Sequence, residues 1–310
     1  MKPLTKLPKT SLKISPGILY ALAACVLFGS NAPLAKILLQ QISPPLLATL
    51  LNIGASLGLI VIFGWQHFQK TKFQSKPTIN FLRGQEWFWF VSTVGLGGVV
   101  APILFIYGVD HSSAAAASLM LSFEGIATAG IAWVVFKERF HWLLAVAIAI
   151  ILTGTIILNS SGAGQLSNPV ATLAIVGACF SWAMDNNLTR HISHRDPVLL
   201  ALGKNLVAAV VNGIIATSLG ASLPPLPWLI SACTLGVFSY GLSFTFLIMA
   251  LRLLGASRTG AYFAITPFVG AGLSILLFRE ILTPNFIIAA LLIGLGVGLC
   301  IYEQLRPTSK

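Results

Sequence analysis

Runs of roughly twenty apolar residues recur along this chain, each long enough for an α-helix to cross a ~30 Å hydrocarbon layer. Ten can be read, at 17–39, 44–65, 86–108, 112–136, 141–159, 169–190, 197–220, 227–251, 256–279 and 283–302. The connections are short and carry breakers, as in Ser43-Pro44-Pro45, Ser161-Gly162-Ala163-Gly164 and Leu223-Pro224-Pro225. Outer-membrane strands are excluded, because they need about ten residues of strict alternation. Within lipid, only helices satisfy every backbone group inside runs this long. Just 9% of the 310 residues are charged, against about a quarter in a soluble domain. The expectation is an all-α polytopic membrane protein with ten transmembrane helices.

The net charge of +11 would raise nucleic acid as a partner in a soluble chain, but its placement argues otherwise. Sixteen of the nineteen Lys and Arg fall on one face of the ten-span plan: Lys2, Lys6, Lys9, Lys13, Lys70, Lys72, Lys76, Arg83, Lys137, Arg139, Arg190, Arg195, Arg252, Arg258, Arg306 and Lys310. Cytoplasmic loops carry such an excess. Both termini are therefore expected in the cytoplasm, with the chain in the cell (inner or plasma) membrane and weakly drawn to anionic lipid. No basic groove with stacking aromatics accompanies the charge, so no nucleic-acid partner is expected. The first apolar run is full length and lacks a small-residue cleavage site, so it is expected to be retained as a helix.

Two halves of the chain resemble one another. Residues 114–120 (AAAASLM) face 256–262 (ASRTGAY), and Phe136-Lys137-Glu138 faces Phe278-Arg279-Glu280, both at an offset of 142. Ala24-Cys25 faces Ala178-Cys179, and Pro44 through Asn52 faces Pro197 through Asn205. Five spans followed by five similar ones make the second copy enter from the opposite side. The plan is then two five-helix inverted repeats: a basic tail at 1–16, a first repeat at 17–160, a second at 168–303 and a tail at 304–310. Such repeats are common in secondary transporters, where related halves exchange conformations around a central site.

Other chemistries fit less well. Gly54-Ala55-Ser56-Leu57-Gly58 matches a nucleophile elbow in letters, but it lies in an apolar helix without placed His and Asp partners. His191 and His194 stand in a basic loop with no further ligands, and Cys25, Cys179, Cys233 and Cys300 lie singly in separate spans. Neither a disulfide framework nor a metal site is expected. No Walker lysine appears, nor a filter-like loop. The chain is not read as an enzyme and no cofactor is implied; an uncoupled channel or facilitator, or a membrane-embedded receptor, is the alternative to a carrier.

The run from Leu121-Ser122-Phe123-Glu124-Gly125 through Phe136-Lys137-Glu138-Arg139, followed by the helix containing Gly154, resembles the EamA domain of the drug/metabolite transporter superfamily. Ala264-Ile265-Thr266-Pro267 with Phe278-Arg279-Glu280 is similar to the same pattern in the second half, and Phe28-Gly29-Ser30-Asn31 with Lys36 to the family's first helix. The resemblance covers nearly all of 17–303. Two positions depart from it: Gly125 stands for the usual Pro, and Thr266 for a second-half Glu. It implies a five-plus-five inverted-repeat carrier of small metabolites, working by alternating access, with the cavity between helices 1–4 and 6–9. Export is favoured over import. Cargo within the family ranges from amino acids to purines, nucleotide-linked sugars and cationic drugs, so the substrate class stays open, as do proton coupling and a homodimeric state.

Candidate residues are the polar groups within spans, since each costs roughly 2.5–3.5 kcal/mol by insertion scales unless compensated. Glu124 is about 12 residues from either end of its span, roughly 18 Å of helix, too deep to snorkel. It is read as a proton acceptor or a counter-charge to a cationic or amine-bearing substrate, or else as a neutral hydrogen-bonded carboxyl that fixes packing. Asp185, Asn186 and Asn187 form a polar cluster in span 6, with Asn31 at the matching place in span 1; Asp185 either lines the pathway or ties to Arg190 or Lys204. Lys204 is the cation clearly inside a span, read as an interface anchor, as a partner of Asp185 or Glu124, or as a site for an anionic substrate. Lys36 is read first as snorkelling, Asn52 and Asn205 as helix–helix glue, and Tyr262 as core packing ahead of cavity lining. Thr266 is the second-half counterpart of Glu124.

Overall fold

The computed structural model describes residues 16–72, 82–135, 142–160, 168–254, 259, 262–263, 265–279 and 282–305. The turn Phe136-Lys137-Glu138-Arg139 and Glu280 lie outside the described residues, as do both terminal tails. We number the helices α1 (Pro16–Leu38), α2 (Pro44–Lys72), α3 (Glu86–Asp110), α4 (Ala114–Met120 continued by Ser122–Val134), α5 (Trp142–Ser160), α6 (Pro169–Ile192), α7 (Pro197–Ser218), α8 (Leu226–Leu254), α9 (Thr266–Phe278) and α10 (Pro284–Leu305). No strand occurs among the described residues.

Local chemistry explains several starts. Asn168 and Asp196 hold N-cap positions followed by Pro169 and Pro197, whose missing N–H costs nothing in a first turn. The Asn168 Oδ1 accepts from Val170 N at 2.9 Å, and the Asp196 Oδ1 from Val198 N at 2.9 Å and Leu199 N at 3.1 Å. Ser113 caps α4 by accepting from Ala116 N at 3.1 Å.

Among the described residues, five helices are long and apolar enough to cross a membrane: α1, residues Pro44–Trp65 of α2, α3, α7 and α8. Shorter apolar helices lie in α4, α5, α9 and α10. The α6 helix is long too, but Asp185-Asn186-Asn187 and Arg190 dilute its apolar character. Large apolar side chains face outward, among them Val61 at 71% and Leu276 at 78% exposure, which in water would make an aggregating surface. The chain is an all-helical, polytopic membrane protein.

Packing follows the internal similarity of the halves. The pairs α5·α10 and α2·α7 each join corresponding helices, α1·α8 mirrors α6·α3, and α9·α1 mirrors α4·α6. One glycine contact makes the relation concrete. A Cβ on Gly154 would meet the Ala289 carbonyl at 3.1 Å and Ile293, while one on Gly296 would meet the Ala147 carbonyl at 2.9 Å and Ile151. Those partners are 142 residues apart in both cases, so α5 and α10 present each other the same face.

Other glycines hold α2 against α8. A Cβ at Gly54 would collide with the Cys233 backbone, and one at Gly236 with the Leu51 backbone. Backbone cannot swing aside as a side chain can, so Gly54→Ala should destabilise the fold by about 1–3 kcal/mol. Gly95→Ala, which meets nothing within 4 Å, is the control. Thermal unfolding in detergent reads both, and equal melting temperatures would refute the close crossing.

Charged groups gather at one end. There Arg195 forms a two-pronged pair with Glu86, with contacts from 2.6 to 3.1 Å, and His194 approaches the same carboxylate at 3.0 Å. Arg252 donates to the Ser193 and Arg195 carbonyls. This basic end therefore gathers the start of α3, the α6–α7 turn and the end of α8.

Candidate functional site: a carboxylate-bearing cavity beside a buried ion pair

Besides a turn at Ser30 in α1, three helix irregularities shape the centre. The α4 helix breaks at Leu121, where Glu124 N donates to the Leu121 carbonyl at 3.0 Å in a tight i−3 turn. Side chains take up carbonyls around the break, with Ser122 Oγ donating to Leu119 O at 2.7 Å and Cys179 Sγ to Met120 O at 3.6 Å. Glu124 thus stands in the first turn of the half-helix Ser122–Val134, where the helix dipole favours negative charge. The other two irregularities are π-helical turns at corresponding places in the halves, Val94–Val100 in α3 and Val237–Leu242 in α8.

Glu124 is 5% exposed and borders a partly open cavity, with about 470 Å³ of empty space when its open mouth is included, lined from α4, α6, α8 and the α9 region. Asn186 Nδ2 donates to its Oε1 at 2.8 Å. A second lobe of about 240 Å³ shares Glu124, Asn186, Leu247 and Phe263, and adds Phe28, Trp182, Ser243 and Phe244. The larger lobe extends from Glu124 past Thr128 to Leu251 and Thr259, towards the basic end where Arg252 sits. On the opposite side the space is filled. Every residue of Ala114–Met120 is buried, and a Cβ on Gly270 would meet Ser118 Oγ at 2.6 Å and the Gly29 carbonyl at 2.7 Å.

One residue back along α6, Asp185 points away from the cavity. Its carboxylate is fully buried and forms an ion pair with Lys204 of α7. Thr189 Oγ1 donates to the other carboxylate oxygen at 3.1 Å, and the ammonium lies 4.2 Å from the Phe244 ring centroid. The pair fits only because Gly97 has no side chain: a Cβ there would overlap the Asp185 carboxylate. The π turn containing Gly97 is tied down beside it, with Trp182 Nε1 donating to Gly97 O at 3.2 Å and Asn212 Nδ2 to Gly98 O at 3.1 Å. A π turn offsets the hydrogen-bond ladder, and these indole and amide donors meet two of its carbonyls.

The structure therefore brings together some of the sequence candidates and separates others. Glu124, Asn186 and Thr266 share the cavity, and Asp185 is joined to Lys204 in a neighbouring layer. Lys204 pairs with Asp185, of the two partners that spacing left open. Asn187 spans α6 and α4, donating to Thr128 O at 3.2 Å and Ala183 O at 2.9 Å. Asn52 and Asn205 turn back on their own helices, to Ala48 O at 2.7 Å and Ala201 O at 2.8 Å, so neither amide serves as a bridge through these bonds. Asn31 is fully buried beside Tyr240. Tyr262 contributes its carbonyl, which accepts from Cys25 Sγ at 3.1 Å.

Lys36 closes a helix end. Its Nζ donates to the Val109 and Asp110 carbonyls at 2.9 and 2.6 Å, at the C-terminus of α3, where cations are favourable. Lys36→Met should cost about 1–3 kcal/mol of stability while flux per folded molecule stays unchanged; a flux defect without a stability loss would instead tie Lys36 to the cargo.

Sequence reading quoted Phe28 only within a family motif and did not single out Trp182, Phe244 and Phe263, because aromatic residues in apolar helices carry no mark of the face they turn. Asn212 was detectable as an intramembrane amide, and Gly97 as a place where another group approaches closely.

Comparison with known proteins bears on this arrangement. The family model described as the EamA-like transporter family matches residues 15–160 and again 170–302. The chain belongs to the EamA-like transporter family. The family model thus matches once in each half of the chain. An uncharacterized transporter from Methanothermobacter thermautotrophicus is 28% identical over 275 residues, covering 85% of this chain and 80% of that protein. A crystal structure of a further protein shares the fold with a TM-score of 0.71, over 94% of this chain and 99% of the other, at 16% identity. As an EamA-like protein, the chain is a membrane transporter of the drug/metabolite type.

Proposed function

We propose that this EamA-like protein is a secondary carrier of a small metabolite, using ten spans arranged as two inverted five-helix repeats. The cavity at Glu124 is the cargo site, and Glu124 binds proton and cargo in turn, so that the gradient of one drives the other. The supporting observation is one-sided access to a buried carboxylate. The cavity reaches from Glu124 towards the basic end, whereas Ala114–Met120 and the Gly270 face fill the other side. By the positive-inside rule the basic end is cytoplasmic, which makes this the inward-facing state and suits loading for export. Reciprocal packing of α1·α8 with α6·α3, and of α5 with α10, supports the inverted repeat, since related halves can trade conformations to expose the site on the other side.

Counterflow in proteoliposomes tests this. An unlabelled internal substrate should drive uptake of labelled substrate, and an imposed pH gradient should drive net flux. Ohmic conduction without saturation would mean a channel, and chemical turnover without flux an enzyme.

A further inference from the structure

Charge around the Glu124 cavity is one-sided. Among the described residues, Glu124 is the sole ionisable side chain lining either lobe, and no Lys, Arg or His joins it. The Lys204 ammonium lies on Asp185 and over the Phe244 ring, and Lys204 lines neither lobe. A carboxylate or phosphate entering here would meet a like charge and no compensating cation, and like charges in a desolvated site repel strongly.

The remaining walls favour the opposite charge. Phe28, Trp182, Phe244 and Phe263 surround the second lobe. Phe28 meets Trp182 edge-on with centroids 5.2 Å apart, and Phe263 at 5.7 Å. Aromatic faces carry negative quadrupole density and attract cations, most of all where water is excluded. Thr259 and Thr266 both line the larger lobe, each 1% exposed. Neither hydroxyl makes a hydrogen bond within the protein of good geometry, although the Cys25 thiol neighbours Thr266. Buried hydroxyls without such bonds in the wall of a cavity suit an uncharged polar group on a ligand.

We infer that the cargo is a monocationic organic amine with a flat apolar body, its ammonium on Glu124 among the aromatic rings and its uncharged polar substituents towards Thr259 and Thr266. Organic anions and zwitterions find no cation among the described lining residues to meet their carboxylate. The inference rests on the reading of this cavity as the cargo site.

Three probes of one skeleton test it: 2-phenylethylamine, phenylalanine and 3-phenylpropionate, titrated calorimetrically into the purified full chain near neutral pH. The amine should bind at least about tenfold more tightly than the other two, a difference typical of one charge-assisted hydrogen bond. Glu124→Gln should erase that preference, and Glu124→Asp should keep the rank order with weaker binding. The wild-type rank order needs no variant, so it stands even where a variant fails to fold. Equal or tighter binding of phenylalanine or 3-phenylpropionate overturns the inference, as does amine binding unchanged in a folded Glu124→Gln protein. If the amine neither binds nor competes while an uncharged or anionic solute undergoes counterflow, the amine inference falls and the carrier reading stands. Absence of counterflow with every solute removes the carrier reading itself.

Discussion

Lys204→Met is expected to lower the stability of the folded protein by about 3–5 kcal/mol, the usual cost of leaving one member of a buried ion pair uncompensated. The reason lies in the surroundings of Asp185. Its carboxylate is fully buried, backed by the α3 π turn at Gly97, and its remaining side-chain partner is the Thr189 hydroxyl. Without the ammonium, a charge stays in a low-dielectric layer with one neutral hydrogen bond to hold it. The double variant Asp185→Asn/Lys204→Met removes both charges, and Asn keeps the shape that the space beside Gly97 demands. It should recover most of the loss, because a buried pair often contributes little relative to its neutral replacement. Unfolding of wild type, both single variants and the double variant gives the coupling energy between the residues directly. Near-additive effects would mean that the two charges are solvated separately. Gly97→Ala belongs to the same test, since its methyl group must displace the carboxylate from the lysine.

The second large effect is on transport. Glu124→Gln should abolish flux driven by a pH gradient, because an amide cannot take up and release a proton in this range. Binding of a cationic cargo should weaken by about 10- to 100-fold, corresponding to ~1.5–3 kcal/mol for a charge-assisted hydrogen bond. The fold should tolerate the change. Asn186 donates to Glu124 Oε1, and a glutamine carbonyl can accept the same bond. Stability and function therefore separate at the two acidic residues of the centre: Asp185 with Lys204 bears on folding, and Glu124 on cargo. Normal pH-driven flux in a folded Glu124→Gln protein would show that proton coupling resides elsewhere.

Much of the architecture was legible in the residues themselves. Apolar runs of membrane-spanning length forced helices, and the 142-residue offset disclosed the related halves. Those features are local or periodic, so they survive in one dimension. Glu124 also stood out, since a carboxylate in the middle of an apolar run is costly wherever the helix turns. The break at Leu121, which makes Glu124 a first-turn residue of a half-helix, was not legible, because Leu121 is an ordinary helix former and the break depends on Ser122 and Cys179 taking up neighbouring carbonyls.

Partner choice was the other thing hidden. Lys204 had two acidic candidates, Asp185 and Glu124, and sequence distance ranks neither. The orientation of α6 separates them: consecutive residues on a helix point about 100° apart, so Asp185 turns to α7 and α3 while Asn186 turns to α4 and the cavity. The sequence alone determined the solvent, the helices, the doubling of the unit and the presence of a costly carboxylate, because hydrophobic length and periodicity act along the chain. Only the tertiary structure decided which carboxylate the lysine neutralises, and so which one remains for a ligand, because that choice depends on the rotation of α6 and on the room Gly97 leaves beside it.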